Sequence, residues 1–227
     1  MTRAEVHDRI EEIGIIPAVR VSSAEDASFA AESVSRGGIP IVEITMTVPG
    51  ALEVISHLLK TTPEMTVGAG SILDVETARR CVDAGAQFLT TDGLVLEVVK
   101  FAVKEHIVVF PGALTPSEVI EAWGAGSDFV KVVPCASVGG DSYIRSLKAA
   151  LPQVPLIAAG GVNQLTALNF ILSGATALGV GRELIPKEAI RLRQSDRIVE
   201  LSRRFLSFVN NGRVQAAARR DSIWPKQ

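Results

Sequence analysis

The sequence predicts one α/β domain folded as a (β/α)8 TIM barrel with an extra N-terminal helix. The chain has 227 residues, an ordinary length for such a barrel. Hydrophobic residues make up 47% of the chain and aromatic residues only 5%, so the core must consist of Val, Ile, Leu and Ala, as in a parallel sheet covered by helices. Short apolar runs alternate eight times with helix-like segments, which favours eight parallel strands closed into a barrel.

The elements follow in order along the chain. A charged helix over about residues 2–12 is expected to close the bottom of the barrel. Eight apolar runs then predict strands at residues 15–21, 39–45, 65–69, 87–91, 107–110, 128–133, 155–158 and 176–180. Stretches rich in Ala, Glu, Leu and Lys predict helices at residues 24–36, 50–60, 75–84, 94–105, 116–124, 141–150 and 164–172, with a last helix within residues 188–210.

No linker or low-complexity run divides the chain, so residues 1–227 are expected to form a single domain. Residues 212–227, which include Pro225, are expected to form a frayed or docking C-terminal tail. Glycines mark the ends of four predicted helices just before a strand, at Gly38, Gly85, Gly126 and Gly174. Glycine suits the left-handed backbone that often ends a helix. The marks recur at about every second βα unit, which supports the count of eight.

Charge and cysteine content argue against several classes of protein. The 23 basic and 25 acidic residues leave a formal net charge of −2, which gives no reason to expect a nucleic-acid or membrane partner. Cys81 and Cys135 are too few for a disulfide framework and lack the paired spacing of a zinc site. No cofactor is expected. No segment resembles a signal peptide or a membrane-spanning helix, and a cytoplasmic location is expected.

Three charged side chains are predicted to meet at one end of the barrel. In this architecture the functional groups lie at the C-terminal ends of the strands and in the loops that follow. Arg20 ends the first predicted strand, Glu43 lies near the end of the second, and Lys131 lies near the end of the sixth. Because side chains alternate between the two faces of a strand, Glu43 shares a face with Thr45.

These residue types indicate Schiff-base chemistry. An apolar barrel disfavours the ammonium form of Lys131, and the neutral amine can attack a ketone. The resulting protonated imine is an electron sink that stabilises the carbanion left when a neighbouring C–C bond breaks. Glu43 would transfer the protons, and Arg20 would bind a carboxylate. A mutually satisfied polar layer is the alternative for these three residues.

Two glycine-containing loops are candidates for anion binding. Gly160 and Gly161 follow the seventh predicted strand, and Gly181 and Arg182 follow the eighth. Glycines let backbone N–H groups approach an anion, the following helix N-termini would add positive potential, and this pair of loops is the recurrent phosphate position in such barrels. Simple tight turns are the alternative reading of these glycines.

Six blocks of sequence resemble, in order, those of the 2-keto-3-deoxy-6-phosphogluconate (KDPG) and 4-hydroxy-2-oxoglutarate (KHG) aldolase family. They are GIIPAVR at 14–20, VEITMT at 42–47, VGAGSIL at 67–73, FPGALTPSE at 110–118, VKVVP at 130–134 and AGGV at 159–162. The resemblance spans roughly residues 14–186 and implies a (β/α)8 barrel, metal-independent aldol cleavage that gives pyruvate plus an aldehyde, and a homotrimer.

The resemblance also implies roles for individual residues. Lys131 matches the Schiff-base lysine, and Glu43 matches the acid/base glutamate. Ser71 matches a Thr or Ser near the pyruvate carboxylate, and Pro111 matches a loop that shapes the pocket. The phosphate-binding loops match Gly160, Gly161 and Gly181.

Departures from the family pattern bear on the substrate. Thr47 occupies the position of an arginine that holds the pyruvate carboxylate in many members, and we interpret Arg20 as its replacement. Val133 stands where an aromatic residue is common, and Ala159 stands where a threonine hydroxyl is common. Arg182 stands where serine is frequent, so it is a candidate to bind phosphate or a different anion.

Three functional hypotheses follow. The first is a class I aldolase that cleaves a 2-keto-3-deoxy sugar acid, 6-phosphorylated, or 4-hydroxy-2-oxoglutarate. The second is a phosphosugar isomerase or epimerase that uses Glu43 as its base. The third is a non-catalytic barrel that binds a small anion.

Overall fold

The computed structural model describes residues 1–223 and shows a parallel β-barrel surrounded by helices. The strands are β1 (Ile15–Val19), β2 (Ile41–Thr45), β3 (Thr66–Gly70), β4 (Phe88–Thr90), β5 (Val108–Phe110), β6 (Gly112–Ala113), β7 (Val130–Val132), β8 (Leu156–Ala159) and β9 (Ala177–Val180). Their order in the sheet is β5-β4-β3-β2-β1-β9-β8-β7-β6, and each paired neighbour is parallel. The prediction of a (β/α)8 barrel is confirmed.

The two ends of the sheet meet because β5 and β6 are halves of one barrel strand. Pro111 separates them, and proline has no backbone N–H with which to continue the ladder. β5 pairs with β4, whereas β6 pairs with β7. The Pro111 carbonyl accepts a hydrogen bond from the Lys131 backbone N–H at 2.9 Å, so the interrupted strand still joins its neighbour. The sequence predicted this stretch as the single strand 107–110.

The helices alternate with the strands as predicted. They are α1 (Arg3–Ile13), α2 (Ala24–Arg36), α3 (Ala51–Thr61), α4 (Val75–Asp83), α5 (Leu96–Lys104), α6 (Pro116–Gly124), α7 (Asp141–Ala150), α8 (Ala167–Leu172), α9 (Lys187–Arg191) and α10 (Ser195–Ile223). The glycines expected after four helices all have φ between 92° and 101°, which is the left-handed backbone that glycine accommodates (Gly38, Gly85, Gly126 and Gly174).

Two predictions about the C-terminal region are wrong. The expected last helix is two helices, α9 and α10, separated by a turn in which Arg193 has a φ of 51°. The expected tail from residue 212 is helical, because α10 continues to Ile223. Gly212 lies inside α10 and packs so closely that a Cβ there would come within 2.8 Å of Ile171. Residues 224–227 of the expected tail lie outside the described residues.

The buried apolar residues form two clusters, one on each face of the barrel wall. The larger cluster lies between the strands and the outer helices and includes Val42, Ile44 and Val130. The smaller cluster fills the lower interior of the barrel; its members are Val6, Ile10, Ile16, Ile41, Phe88, Val108, Phe110, Phe129, Ile157 and Ala177. Strand residues alternate between the two clusters, so Lys131, two positions after Phe129, faces the interior.

The N-terminal helix closes the bottom of the barrel, as expected. α1 starts with a capping box in which Thr2 and Glu5 each bond the other's backbone N–H. Its Val6 and Ile10 are buried in the interior cluster, and the Arg3 guanidinium donates to the Asp128 carboxylate at 2.9 Å. No helix within residues 1–223 combines the length and apolar character that crossing a membrane requires.

Candidate active site

The structure brings Arg20, Glu43 and Lys131 to one cavity at the C-terminal end of the barrel, with a volume of about 510 Å³. The strands β1, β2 and β7 position them at this cavity. Arg20 lies directly after β1, Glu43 is central in β2, and Lys131 is central in β7. The interior of the barrel is therefore apolar toward its N-terminal end and is lined by these charged side chains at its C-terminal end.

Lys131 is fixed at the inner end of this cavity. Its side chain is buried, with a residue exposure of only 4%. The Nζ atom donates hydrogen bonds to Thr90 Oγ1 at 2.6 Å and to Asp92 Oδ1 at 3.2 Å. Its backbone is held by the carbonyl of Pro111, as described above, and by the register with Ile157 of β8. The amine is thus buried, oriented by hydrogen bonds and on the wall of the cavity.

Glu43 contributes a buried carboxyl group to the same cavity, with 4% residue exposure. Burial raises the pKa of Glu43 above its ordinary value. The positive charge of Lys131 opposes this rise, the negative charge of Asp92 adds to it, and Arg20 opposes it more weakly. A raised pKa lies closer to neutral pH than that of an ordinary carboxyl group, which favours the exchange of protons that an acid/base catalyst needs.

The barrel makes room for Glu43 by having glycine on the neighbouring strand. Gly70, which pairs with Thr45 of β2, lies against the Glu43 side chain. A Cβ built at Gly70 would collide with the Glu43 carboxylate and would come within 2.7 Å of its Cγ. The observed side-chain conformation of Glu43 therefore requires glycine at position 70.

Replacing Gly70 with alanine should disturb both stability and activity. The added methyl group must displace the Glu43 carboxylate or the strand, and such overpacking costs about 1–3 kcal/mol. We expect a lower melting temperature and a lower kcat. Gly124→Ala is the matched control, because a Cβ there meets nothing within 4 Å. A Gly70→Ala variant as active and as stable as this control would contradict the assigned packing.

Asp92 is a central residue of the site, and the sequence did not single it out for catalysis. Its carboxylate accepts hydrogen bonds from Lys131 Nζ, from Ser71 Oγ at 2.7 Å, and from Arg20 Nη2 at 3.2 and 3.3 Å. Burial would raise the pKa of Asp92, but Lys131, the Ser71 hydrogen bond and Arg20 together hold it below its usual value. The residue therefore remains an anion. From its place at the end of the fourth predicted strand, the sequence allowed either a polar lining residue or a cap of the next helix; Asp92 lines the cavity, and α5 begins at Leu96 after Val95.

Ser71 and Arg20 complete this arrangement. Ser71 lies just after β3 with a φ of 58°, a backbone conformation that non-glycine residues rarely adopt. Arg20 Nη2 also donates to Ser71 Oγ at 3.2 Å. The Arg20 side chain is 55% exposed, and its Nε and Nη1 have no hydrogen-bond partner within residues 1–223. The exposed guanidinium is therefore available to bind a carboxylate.

Four of the candidate binding residues do not line the cavity: Thr45, Thr47, Ser71 and Pro111. Ser71 contacts it only through Asp92 and Arg20. The Thr45 hydroxyl is fully buried and donates to the Val19 carbonyl at 3.0 Å. Its oxygen also lies 2.7 Å from Thr47 Oγ1. These groups join the ends of β1 and β2, and Pro111 is part of the barrel wall.

The mouth of the cavity is lined by the two glycine-containing loops, as the sequence predicted for Gly160, Gly161, Gly181 and Arg182. A Cβ at Gly161 would collide with Ala136, and one at Gly160 would come within 2.8 Å of the Pro134 Cα. Both glycines have positive φ. Close packing against the segment after β7 therefore requires glycine at both positions.

The helices that follow these loops start several residues after the glycines. α8 starts at Ala167, because the Asn163 side chain accepts hydrogen bonds from the Leu165 and Thr166 N–H groups in a turn before the helix. α9 has five residues and starts at Lys187. Positive charge at the mouth comes instead from side chains. Arg182 and Lys187 are exposed, line the cavity, and have no ion-pair partner within the described part of the chain.

Comparisons with known proteins agree with this site. The family model of the KDPG and KHG aldolases matches residues 6–201. The KHG/KDPG aldolase of Escherichia coli K12 is 28% identical over 190 residues, which are 83% of this chain and 89% of that protein. The 2-dehydro-3-deoxy-phosphogluconate aldolase of Pseudomonas aeruginosa is 25% identical over 203 residues, which are 89% of this chain and 92% of that protein.

Solved structures show the same similarity. The KDPG aldolase of Legionella pneumophila, with pyruvate captured as a covalent carbinolamine intermediate, superposes with a TM-score of 0.81 at 29% identity. The superposition covers 87% of this chain and 96% of that one. With the family model matching most of its length, and with a lysine and a glutamate buried in the cavity of its barrel, the chain belongs to the KDPG and KHG aldolase family.

Proposed function

We propose that this chain cleaves a 2-keto-3-deoxy sugar acid, 6-phosphorylated, or 4-hydroxy-2-oxoglutarate, to pyruvate and an aldehyde, with Lys131 as the Schiff-base nucleophile. Its family makes the chain a Schiff-base aldolase, that is, a carbon–carbon lyase. The observation that carries the assignment is the buried Nζ of Lys131, which faces the cavity beside the carboxyl group of Glu43.

The first step is condensation with the keto acid. The Lys131 amine attacks the C2 carbonyl, a C–N bond forms, and the carbonyl oxygen becomes the hydroxyl of a carbinolamine. Loss of that hydroxyl as water requires a proton, which Glu43 supplies because its raised pKa keeps a protonated population. Arg20 binds the substrate carboxylate through the exposed part of its guanidinium, which places C2 within reach of the amine.

The second step breaks the bond between C3 and C4. A base removes the proton of the C4 hydroxyl, the C3–C4 electron pair moves toward the iminium carbon, and an enamine and an aldehyde result. Glu43 is deprotonated once it has given its proton to the leaving water. Because its pKa is raised, the Glu43 carboxylate is the base that takes the proton of the C4 hydroxyl. It then returns a proton to C3, and water hydrolyses the iminium to release pyruvate.

Arg182 and Lys187 bind the distal anionic group of the substrate, together with the N–H groups of the glycine-containing loops. The cavity is lined by four cationic side chains and three anionic ones (Arg20, Lys131, Arg182, Lys187, Glu43, Asp92 and Glu183). Arg20 and Lys131 are bonded to Asp92, whereas Arg182 and Lys187 are free of ion pairs within residues 1–223. A phosphate or a second carboxylate at that end of the substrate would complement them.

Replacing Arg182 with alanine should raise KM for the phosphorylated substrate about 10-fold, because a hydrogen bond between charged groups contributes about 1.5–3 kcal/mol. The kcat should change little, since the distal anion takes no part in the chemistry. Steady-state kinetics with a lactate dehydrogenase-coupled pyruvate assay measure both values. The matched measurement uses the corresponding unphosphorylated keto acid, whose KM should not respond; an equal rise in both KM values would contradict the assignment.

The same assay tests the proposed reaction. The wild-type protein is supplied with phosphorylated and unphosphorylated 2-keto-3-deoxy acids and with 4-hydroxy-2-oxoglutarate, and pyruvate release is followed. Cyanoborohydride with pyruvate should add the mass of one reduced pyruvate adduct at Lys131. A folded protein that releases no pyruvate and stays unmodified at saturating pyruvate would overturn the proposal. No observation favours the isomerase or the anion-binding alternative over the aldolase.

We also propose a homotrimer in the cytoplasm. One solved structure similar to this chain, at 25% identity and a TM-score of 0.84, is a protein cage designed by fusing symmetric oligomeric domains. This chain covers 77% of that cage chain. Exposed apolar residues in the loops after β3 and β8, Leu73 and Leu165, are available for a subunit contact. Light scattering of the purified protein distinguishes a trimer from a monomer.

A further inference from the structure

Asp92 joins the two positively charged residues of the inner cavity. One of its oxygens, Oδ1, accepts from Lys131 Nζ at 3.2 Å, and Oδ2 accepts from Ser71 Oγ at 2.7 Å. Arg20 Nη2 lies 3.3 and 3.2 Å from the same two oxygens. The carboxylate therefore contacts the nucleophile, the candidate carboxylate-binding arginine, and a hydroxyl that fixes its own orientation.

Fold stability alone does not account for this carboxylate. It caps no helix, and it lies at the end of β4 where it lines the cavity. Two positive charges are held beside it, one of them almost fully buried. Asp92 and Arg20 are 40% and 55% exposed, so the cost of removing charge from water falls on Lys131. An ion pair seldom recovers that cost, so the buried lysine beside this carboxylate points to function.

We propose that Asp92 is a positioning residue of this aldolase: its carboxylate is the fixed counter-ion of the Lys131 nitrogen in the ammonium and the iminium states, and it holds Arg20 where the substrate carboxylate binds. The inference rests on the proposed function. It assigns to the site a residue that neither strand periodicity nor the resemblance to the family singled out.

The chemistry of the nitrogen explains why a counter-ion is useful there. When the carbinolamine loses hydroxide as water, the nitrogen keeps one N–H and carries the positive charge of the iminium. An imine is a weaker base than an amine, so the iminium loses its proton more readily than the lysine ammonium does. A neutral imine is a poor electron sink. An anion that stays charged beside the nitrogen favours the protonated form throughout the reaction.

The two carboxyl groups of the cavity are suited to different tasks. The pKa of Asp92 is held low and that of Glu43 is raised, so Asp92 remains an anion while Glu43 exchanges protons. The charged groups that face the nitrogen come from several elements: Arg20 after β1, Glu43 on β2 and Asp92 after β4, with Arg182, Glu183 and Lys187 farther out at the mouth. Among them, Asp92 is the anion bonded to the nitrogen.

Asp92→Asn tests the inference, because it removes the charge and keeps the shape. The fraction of protein trapped as the reduced pyruvate adduct by cyanoborohydride is measured by intact mass between pH 5 and 9.5, and kcat and KM are measured over the same range. Loss of an opposite charge at this distance shifts a pKa by about 1–3 units. Trapping should decline at high pH, and we expect this decline, the alkaline limb of the profile, to occur at least about one pH unit lower in the variant. We also expect KM to rise about 10-fold, because Arg20 is no longer held where it binds the substrate carboxylate.

Two further variants keep the test decisive. Asp83→Asn removes an exposed carboxylate from the end of α4 and should leave the alkaline limb where the wild type has it. Ser71→Gly suits the positive φ and removes the hydroxyl that holds Asp92, so it should shift the limb in the same direction by less. If Asp92→Asn does not fold, the Ser71→Gly result decides.

The outcomes separate this inference from the proposed function. A wild-type protein that forms no adduct contradicts the aldolase assignment itself. A wild-type protein that forms the adduct, with Asp92→Asn showing the same alkaline limb and the same KM, overturns the role of Asp92 alone. A variant that is merely less stable, with the limb unmoved, shows a structural role and also overturns the inference.

Discussion

Replacing Lys131 with alanine is expected to abolish turnover, with kcat falling by at least about 10⁴-fold, as is usual when a covalent nucleophile is removed. The structure gives the reason. Nζ is the amine at the inner end of the cavity, buried and held by Thr90 and Asp92. The coupled pyruvate assay measures the loss of rate, and intact mass after cyanoborohydride treatment with pyruvate should show no adduct on the variant.

Lys100→Ala is the matched control for this substitution. Lys100 is exposed on α5, away from the cavity, so its loss should change neither the rate nor the adduct. Circular dichroism verifies that both variants are folded. Trapping of pyruvate on folded Lys131→Ala at the wild-type level would show that another amine is the nucleophile.

Replacing Glu43 with glutamine should lower kcat by about 10²–10⁴-fold, the usual contribution of a general acid or base. The adduct with pyruvate should form slowly, because the amine remains while the proton carrier is lost. A time course of cyanoborohydride trapping separates this behaviour from that of Lys131→Ala. Equal trapping rates in wild type and Glu43→Gln would assign the proton transfers to another group.

Relative to the wild type, Glu43→Gln should become increasingly stable as pH rises. Burial raises the pKa of Glu43 in the folded state above its ordinary value of 4.5, so the native state binds this proton more tightly than the unfolded state. The free energy of unfolding therefore falls as pH rises from about 4.5 to the raised folded-state value. Glutamine has no such dependence.

Thermal unfolding at a series of pH values checks this expectation. The melting temperature of Glu43→Gln minus that of the wild type should increase as pH rises from acid to neutral. Each kcal/mol corresponds to about 2–4 °C for a domain of this size. A difference that is constant with pH would mean that Glu43 is not buried as a titrating acid.

The fold could be predicted from local patterns because each βα unit is specified by its own short segment of sequence. Every apolar run predicted as a strand overlaps an observed strand, and the glycines after four helices have the expected backbone. Two features could not be read in this way. Pro111 splits one barrel strand into two, and α10 continues through Gly212 because tertiary packing on Ile171 and α8 outweighs the helix-weakening effect of glycine.

The site was predictable where position along a strand determines direction. Alternation of side chains brought Arg20, Glu43 and Lys131 to one end of the barrel, and the structure places all three in the cavity. Alternation could not show which hydroxyls are hydrogen-bonded to the backbone. The Thr45 hydroxyl, for example, donates to the Val19 carbonyl. Alternation also could not pair Asp92 with Lys131, which lies 39 residues away on another strand.

The packed floor of the barrel determines the order in which products leave. Phe88, Phe110 and Phe129 fill the interior below Lys131, and α1 covers them with Val6 and Ile10. With Lys131 as the proposed nucleophile, the three-carbon fragment is still covalently attached at the inner end after cleavage, whereas the aldehyde lies on the side of the mouth. The aldehyde must therefore depart first and pyruvate last, and in the direction of synthesis the enzyme must load the donor before the acceptor.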